Sequence, residues 1–352
     1  MRLDRESHWR SVIERARASS MPSDYVRYFR VSPQPTARGP VTPGLALLGG
    51  PPDGPPPEVD AAFMWLLAKS GWGRFVVIGS DGVDEYAHYL YDHLPPPHPM
   101  SVETFIFKSR DAASNPDIVA SIRQADALFI QGGDQWDYIR MWKGTGVQQA
   151  MADVIARGAP IGGSSAGLAV LGQFVFAARN GTVYSSEALA DPYHEGVTLD
   201  RDLVDAPKLL PYAYLKNIIT DSHFQDRQRM GRLLAFLARL AQDGWATAAR
   251  AIAIDEMTAV LVEADGSARV VDNRPADDRG AAFFLHTPGP PELCQPGQPL
   301  TYENVSVYRI GASDVGATFH LGTWKGQGGQ RYRAAARQGI LEVSQVVPAP
   351  AG

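Results

Sequence analysis

Residues 160–170 read PIGGSSAGLAV. Within them Gly163-Ser164-Ser165-Ala166-Gly167 has the G-x-S-x-G spacing that puts a serine hydroxyl on a sharp strand-to-helix turn. A nucleophile held there needs a strained backbone and small neighbours, so that strand and helix can close on one another. Ser165 stands at the centre of the bend, whereas Ser164 precedes it and is assigned to turn packing. The following LAVLGQFVFA is apolar all round and reads as a buried helix. Its first amide, the N–H of Ala166, is a natural donor to an oxyanion. Small-residue turns before buried helices are common, so the pattern needs a base and an acid to become a catalytic site.

The chain has eight histidines. His88, His93 and His98 are irregularly spaced beside prolines, as in a surface loop, and lack metal-ligand spacing. His8, His194, His286 and His320 stand alone in polar or hairpin-like text. His223, in IITDSHFQDRQRMGRL, follows an apolar run and precedes a long helical pattern. That places it beyond the carboxyl end of a strand, as Ser165 is, and makes it the candidate general base. For the acid, Glu187, Asp191, Glu195 and the run DRDLVD at 200–205 all lie between serine and histidine, and spacing does not choose among them. Asp255-Glu256, in AIDEMTA, could support the site from behind or be a polar strand end, and the structural reading is preferred.

These residues need a scaffold, and the bulk numbers allow a large one. The chain has 352 residues, 45% of them hydrophobic, enough to bury a substantial core. A net charge of −5 argues against a polyanion such as nucleic acid as partner. Cys294 is the single cysteine, which excludes an internal disulfide and a cysteine-based metal site. The charged N-terminus lacks an apolar signal core and no later run is long enough to span a membrane, so a cytoplasmic location with no membrane partner is expected.

Apolar runs at 44–50, 74–82, 102–109 and 127–135 alternate with helical patterns at 61–71, 117–125 and 147–158. This rhythm implies an α/β fold, a mostly parallel sheet flanked by helices on both faces. In such sheets sites gather beyond the carboxyl ends of the strands, where each glycine-rich turn falls. The run at 102–109 alternates more than the others, as near a sheet edge. A long helix is expected over 225–240, with Met230, Leu233, Leu234, Leu237 and Leu240 on one face. Residues 249–271 read as strand, turn and hairpin. The expected division is an N-terminal extension (1–40, with an amphipathic helix), a catalytic domain (41–272) and a β-rich C-terminal appendage (273–352).

Taken in order, GLALLGG, RFVVIGS, LFIQGGDQ, PIGGSSAGLAV, TDSHFQDRQRMGRL and AIAIDEMTAVLV resemble the cyanophycinase and dipeptidase E family of serine peptidases, which have a class I glutamine-amidotransferase-like fold. The resemblance implies Ser165 as nucleophile, His223 as base and Glu187 as the best-matching acid. It adds the N–H of Gly133 or Asp134 to that of Ala166 in the oxyanion hole and places Gln135 in the substrate pocket. The family's Asp-Gln-His-Phe followed by spaced arginines corresponds to Asp221-Ser222-His223-Phe224 with Arg227, Arg229 and Arg232, Ser222 standing for the glutamine, and the resemblance implies that Asp221, Ser222 and these arginines read polar groups of the substrate. Read in the first turns of a helix, those arginines oppose the dipole and so call for an anionic partner, either substrate carboxylates or local Asp221, Asp226 or Glu256.

The function so implied is hydrolysis of aspartyl peptide bonds, in β-Asp-Arg polymer or in short peptides with an N-terminal aspartate, with no metal or organic cofactor; the resemblance also points to a homodimer. Two rivals use the same residues. An α/β-hydrolase esterase shares the elbow but usually carries its histidine near the chain's end. A non-catalytic binding protein on the same scaffold would keep the turns without the relay.

Overall fold

The computed structural model describes residues 24–33, 36–52, 59–204, 211–344 and 347–348. The amphipathic helix expected in the first twenty residues lies outside them. Strand β1 (Tyr25–Val31) pairs antiparallel, along its whole length, with β4 (Ser101–Phe107). The expected extension therefore supplies a strand of the main sheet. It also explains why β4, read as near an edge, is buried at all seven positions.

Inward of that pair lie β2 (Leu45–Leu48), β3 (Arg74–Gly79), β5 (Ala127–Ile130) and β6 (Ile161–Ser164). Together with β4 they run parallel in the order β4-β3-β5-β6-β2. Both faces are covered, which is why these strands are continuous apolar runs. On one face α1 (Asp60–Lys69) sets Phe63, Leu66 and Leu67 against Leu48, Phe75, Val77 and Phe129. On the other, α3 (Pro116–Arg123), α4 (Gln135–Trp142) and α5 (Gly146–Ala156) cover Leu45, Leu47, Val76 and Ile78. A short α2 (Glu85–His88) completes the first layer. Successive strand residues feed opposite layers, as the two-residue period of a pleated strand requires.

Beyond Ser165 the expected long buried helix shrinks to four residues, α6 (Ala166–Ala169), after which the chain turns and forms β7 (Phe174–Phe176). Then follow α7 (Ser185–Ala190), β8 (Leu199–Arg201), β9 (Ile218–Asp221), α8 (Met230–Gln242) and β10 (Arg250–Ile254). The expected apolar face of α8 is buried apart from Met230, which is partly so, but the helix begins at Met230, because Gln225–Arg229 form turns with Gln228 at a φ of 52°.

The next strands are β11 (Thr258–Val262), β12 (Ser267–Asp272), β13 (Ala281–His286) and β14 (Tyr302–Gly311). The last are β15 (Thr318–His320), β16 (Lys325–Gln327), β17 (Gln330–Arg337) and β18 (Ile340–Val343). Strands β11, β12, β15 and β16 extend the first sheet past β2, all antiparallel. The others form a second sheet, β18-β17-β14-β13-β10-β9-β7-β8, parallel only across β10-β9-β7. The class is α/β with a β-rich C-terminal region, as expected, but its parallel core is shared between two sheets. Residues after 272 interleave with both, β13 pairing along β10 and β15 along β12. Side chains of both sheets, among them Leu45, Ile78, Ile254, Phe284 and Ile310, share one core.

Candidate active site

Ser165 directly follows β6 with a φ of 52° and a ψ of −113°, a sparsely populated region for a residue with a side chain, at a cost on the order of 1–3 kcal/mol. The surroundings enforce it. The Ser165 N–H donates to the Leu48 carbonyl (3.1 Å). A Cβ on Gly163 would lie 2.4 Å from the Gly167 oxygen, and one on Gly167 would lie 2.0 Å from the Ile130 oxygen. The small residues of the elbow are thus demanded by backbone passing backbone, not by chain flexibility. Ser164 is fully buried, which fits its assignment to packing.

His223 follows β9 on the second sheet, itself at a φ of 46°. Its N–H donates to the Gly49 carbonyl (3.0 Å) and that of Phe224 to the Ile254 carbonyl (3.2 Å), so the residue is tied to the ends of β2 and β10 together. The Ser165 Oγ lies 2.7 Å from His223 Nε2. On the other side of the ring, His223 Nδ1 lies 2.7 Å from an oxygen of Glu256. A carboxylate there accepts the Nδ1 proton, which leaves Nε2 free to accept from the serine. Burial first, then the guanidinium groups of Arg227 and Arg229, hold the imidazole pKa well below its ordinary 6.5. The ring is neutral at pH 7 and able to take a proton.

Glu256 replaces Glu187 in this constellation. Glu187 caps its own helix, its carboxylate accepting from the Tyr184 N–H at 2.8 Å as the third residue of a capping box. Glu256 lies instead on the three-residue link between β10 and β11, where the chain leaves the second sheet for the first. Its N–H donates to Asp226 (2.9 Å), and Asp226 is paired with Arg274 (2.8 Å). Burial raises the Asp226 pKa, but the Glu256 N–H and Arg274 outweigh it and the net direction is down. Neighbouring Asp255 has its carboxylate on the N–H groups of Gln225 (2.8 Å) and Ala281 (3.0 Å), and burial still raises its pKa to about 6. Asp255 pins the loops; Glu256 faces the imidazole. Glu256, like Ser165 and His223, lies just beyond the carboxyl end of a parallel strand, and that is the signal by which the sequence marks it.

Gly50 is a second residue the sequence reading left without a role. It has a φ of 95°, and a Cβ on it would meet the His223 ring at 2.7 Å and the Ser165 Cβ at 2.9 Å. The double glycine closing GLALLGG is therefore the floor beneath the serine and histidine.

Opposite the serine, the QGGDQ turn comes close: a Cβ on Gly132 would be 3.5 Å from that of Ser165. Gly133 has a φ of 149°, and the Tyr138 hydroxyl bridges the Gln131 (3.0 Å) and Gly132 (2.7 Å) carbonyls. Gly133, Asp134 and Ala166 line the same cavity as Ser165, about 300 Å³ in volume. The Asp134 carboxylate accepts from the Trp136 N–H (2.8 Å) at the start of α4, and Gln135 donates to the Phe176 carbonyl (3.3 Å).

The arginines differ from one another. Arg232 and Asp221, both almost fully buried, form a two-bonded pair (3.0 and 2.5 Å), with Phe176 and Phe236 against the guanidinium. Expected to read substrate, they hold each other. Arg227 and Arg229 precede the helix instead of starting it. Arg227 is 3.3 Å from Glu256. Arg229 donates to the Ser222 carbonyl (2.8 Å) and approaches its hydroxyl (3.3 Å), with Asp221 at 3.6 Å. Asp221 already serves Arg232, and burial pulls the Arg229 pKa down to about 10. Arg229 is thus a partly buried cation with half a partner, on the wall of the serine's cavity.

Among the described residues no cluster of His, Cys, Asp and Glu has a geometry that could hold a metal ion, and no helix is long and apolar enough to cross a membrane.

Comparison with known proteins fits this arrangement. The signature of Peptidase family S51 matches residues 83–269, just over half of the chain and a stretch that includes Ser165, His223 and Glu256. The cyanophycinases of Nostoc sp. (strain PCC 7120) and Trichormus variabilis are each 27% identical over 225 residues, 62% of this chain. The chain spans 65% of the length of each. A cyanophycinase of Synechococcus elongatus is 28% identical over 48% of this chain and 46% of its own. A crystal structure of a peptidase from an acI-B1 Actinobacterium superposes with a TM-score of 0.49 at 17% identity, over 69% of this chain and 91% of that one. The chain belongs to peptidase family S51.

Proposed function

We propose that this S51 member is a serine peptidase that hydrolyses aspartyl peptide bonds through an acyl-enzyme on Ser165. The observation that carries the reading is the unbroken relay from Ser165 Oγ through His223 to Glu256, two contacts of 2.7 Å each. The serine oxygen attacks the scissile carbonyl carbon while His223 Nε2 takes the hydroxyl proton. Glu256 stabilises the imidazolium so formed. The oxyanion lies toward the N–H of Ala166 and the amides of Gly133 and Asp134. As the tetrahedral species collapses, Nε2 gives its proton to the leaving amine. Water, deprotonated by the same nitrogen, then releases the acyl group and restores the serine.

Arg229 supports a substrate bearing a carboxylate. Three guanidinium groups on the cavity wall face the carboxylates of Asp221 and Glu256, and the Asp134 carboxylate is turned onto its own helix. An incoming carboxylate completes the partnership that Asp221 leaves partial. Ser222 beside Arg229 would accept or donate to the same group. This matches β-Asp-Arg polymer, the kind of substrate the resemblance implies. A cavity near 300 Å³ also suits a short peptide with an N-terminal aspartate, the dipeptidase E-like reading.

The test is product analysis after incubation with β-Asp-Arg polymer and with a panel of α- and β-aspartyl dipeptides, with Ser165→Ala as control. Release of β-Asp-Arg dipeptide by the wild type alone is expected. Cleavage of short peptides only would assign an exopeptidase. No Ser165-dependent product from any of them would overturn the peptidase reading in favour of a binding protein.

A further inference from the structure

A second cleft, about 740 Å³, lies away from the serine, between the β15–β16 hairpin of the first sheet and strands β13, β14 and β17 of the second. Its walls are aromatic. Phe284 stacks on Phe319 at 3.9 Å, and Trp324 meets Phe319 edge-on at 5.1 Å. Its polar lining contains Lys325, Arg331 and Arg333 and no carboxylate at all. A fourth cation, Arg250, lies over the Trp324 ring at 4.7 Å, and Arg331 lies over Tyr308 at 5.6 Å. Among the described residues none of these four forms an ion pair, in a chain whose net charge is −5. Burial lowers the pKa of Arg250, as it does for a cation with no counter-charge. Trp324 is held at a φ of 56°, so the hairpin spends backbone strain to keep its indole there.

We propose that this cleft is a second binding site, for a carboxylate-rich peptide chain. Four cations without an acidic partner around an aromatic floor, Arg333 donating only to the neutral Asn304 amide (3.2 Å), attract anions, and guanidinium and ammonium groups pair well with carboxylates. Two features favour an extended peptide over a planar anion such as a nucleotide. The Trp324 and Tyr308 rings already carry guanidinium groups, which leaves less open face for a base to stack on. One wall is β16, the terminal strand of its sheet, and terminal strands pair with extended chains. The choice of occupant rests on the reading of the protein as a peptidase for carboxylate-bearing substrates. Arg250 begins β10 and Glu256 follows its end, so the cleft and the relay are separated by about 20 Å along the strand. Only a substrate of more than about six extended residues reaches both.

The test is anisotropy of a fluorescein-labelled oligo-α-aspartate of about twelve residues with full-length Ser165→Ala protein, compared with the same protein carrying Lys325→Glu and Arg331→Glu. Both reversed residues are exposed, so folding is checked by an unchanged melting temperature. Affinity is expected to fall by at least about tenfold on reversal. Unchanged affinity overturns the proposal. So does displacement by AMP where unlabelled oligo-aspartate fails, or loss of a dimer on reversal, which would assign the cleft to a second copy of the chain. In the protein with Ser165 intact, reversal is expected to raise KM for long acidic peptides and to leave aspartyl dipeptides unaffected. Absence of any peptidase activity would sink the catalytic reading alone, since the binding measurement does not depend on turnover.

Discussion

Two clusters of basic residues lie on opposite ends of the second sheet, and they are built on opposite principles. Around the serine, Arg232 is locked to Asp221, Arg227 leans on Glu256 and Arg274 holds Asp226. In the C-terminal cleft, Arg250 and Arg331 have aromatic rings, Lys325 has open solvent and Arg333 has the Asn304 amide oxygen (3.2 Å) where the first group has carboxylates. The amino-acid types are the same. What separates a supporting arginine from a receiving one is whether the fold has already supplied its counter-charge. Arg229 stands between the two, partly buried beside a carboxylate that is bonded more tightly to another residue.

Substitutions can break that comparison at several strengths. The largest loss is expected from Ser165→Ala, at least about 10⁴-fold in kcat with the melting temperature retained, because the proposed acyl-enzyme forms on that hydroxyl. Glu256→Gln should cost about 10²–10⁴-fold in kcat, since an amide disturbs the imidazole tautomer, while the isosteric Glu187→Gln leaves kcat within about twofold. Equal losses in the two would return the acid role to Glu187. Arg232→Met leaves Asp221 charged in the interior with only the more distant Arg229, at 3.6 Å, as counter-charge, and should cost up to about 3–5 kcal/mol in urea denaturation. Arg229→Met leaves no such orphan and should raise KM more than it lowers stability.

The pH profile gives the finest discrimination. His223 acts only when neutral, and its pKa lies below the ordinary 6.5. The acid limb of kcat/KM should therefore fall below pH 6.5, activity being present above the limb and lost as pH drops through it. The same shift links to stability. Below pH 6.5 the unfolded chain binds the proton that the folded chain refuses, so this group's contribution is present above 6.5 and is lost as pH falls toward the folded pKa. In Arg227→Met the acid limb should move upward, because one of the two neighbouring cations that depress the pKa is gone.

Local sequence revealed what local sequence determines. The Gly163–Gly167 elbow, the apolar parallel strands and His223 at a strand end could all be read, because each is set by residues adjacent in the chain. Glu256 could not be found by searching between serine and histidine, because it reaches the imidazole from the next strand, with 33 residues of separation. The role of Gly50 was hidden for a related reason. Its constraint comes from a ring more than 170 positions away, and a glycine that ends a strand looks like any turn. The extent of the helix after Ser165 was misjudged because LAVLGQFVFA is apolar both as helix and as strand, and the switch at Gly172 is set by backbone contact: a Cβ there would lie 2.9 Å from the Ile218 and Phe174 oxygens. The C-terminal region was correctly read as β-rich. Its interleaving with both sheets depends on pairings that no run of residues announces.

One consequence follows from where the three relay residues are mounted. Ser165 hangs from a strand of the first sheet, His223 from a strand of the second, and Glu256 from the short link where the chain passes between them. Two contacts of 2.7 Å therefore gauge the alignment of two large bodies, much as a vernier reads a small slip between two scales. A displacement of 1 Å between the sheets, too little to unfold either, would open the relay and silence the hydroxyl. Turnover should thus disappear early in a denaturant titration, ahead of the loss of secondary structure, and substitutions in the shared core at Ile78, Ile254 or Phe284 should register in kcat before they register in stability.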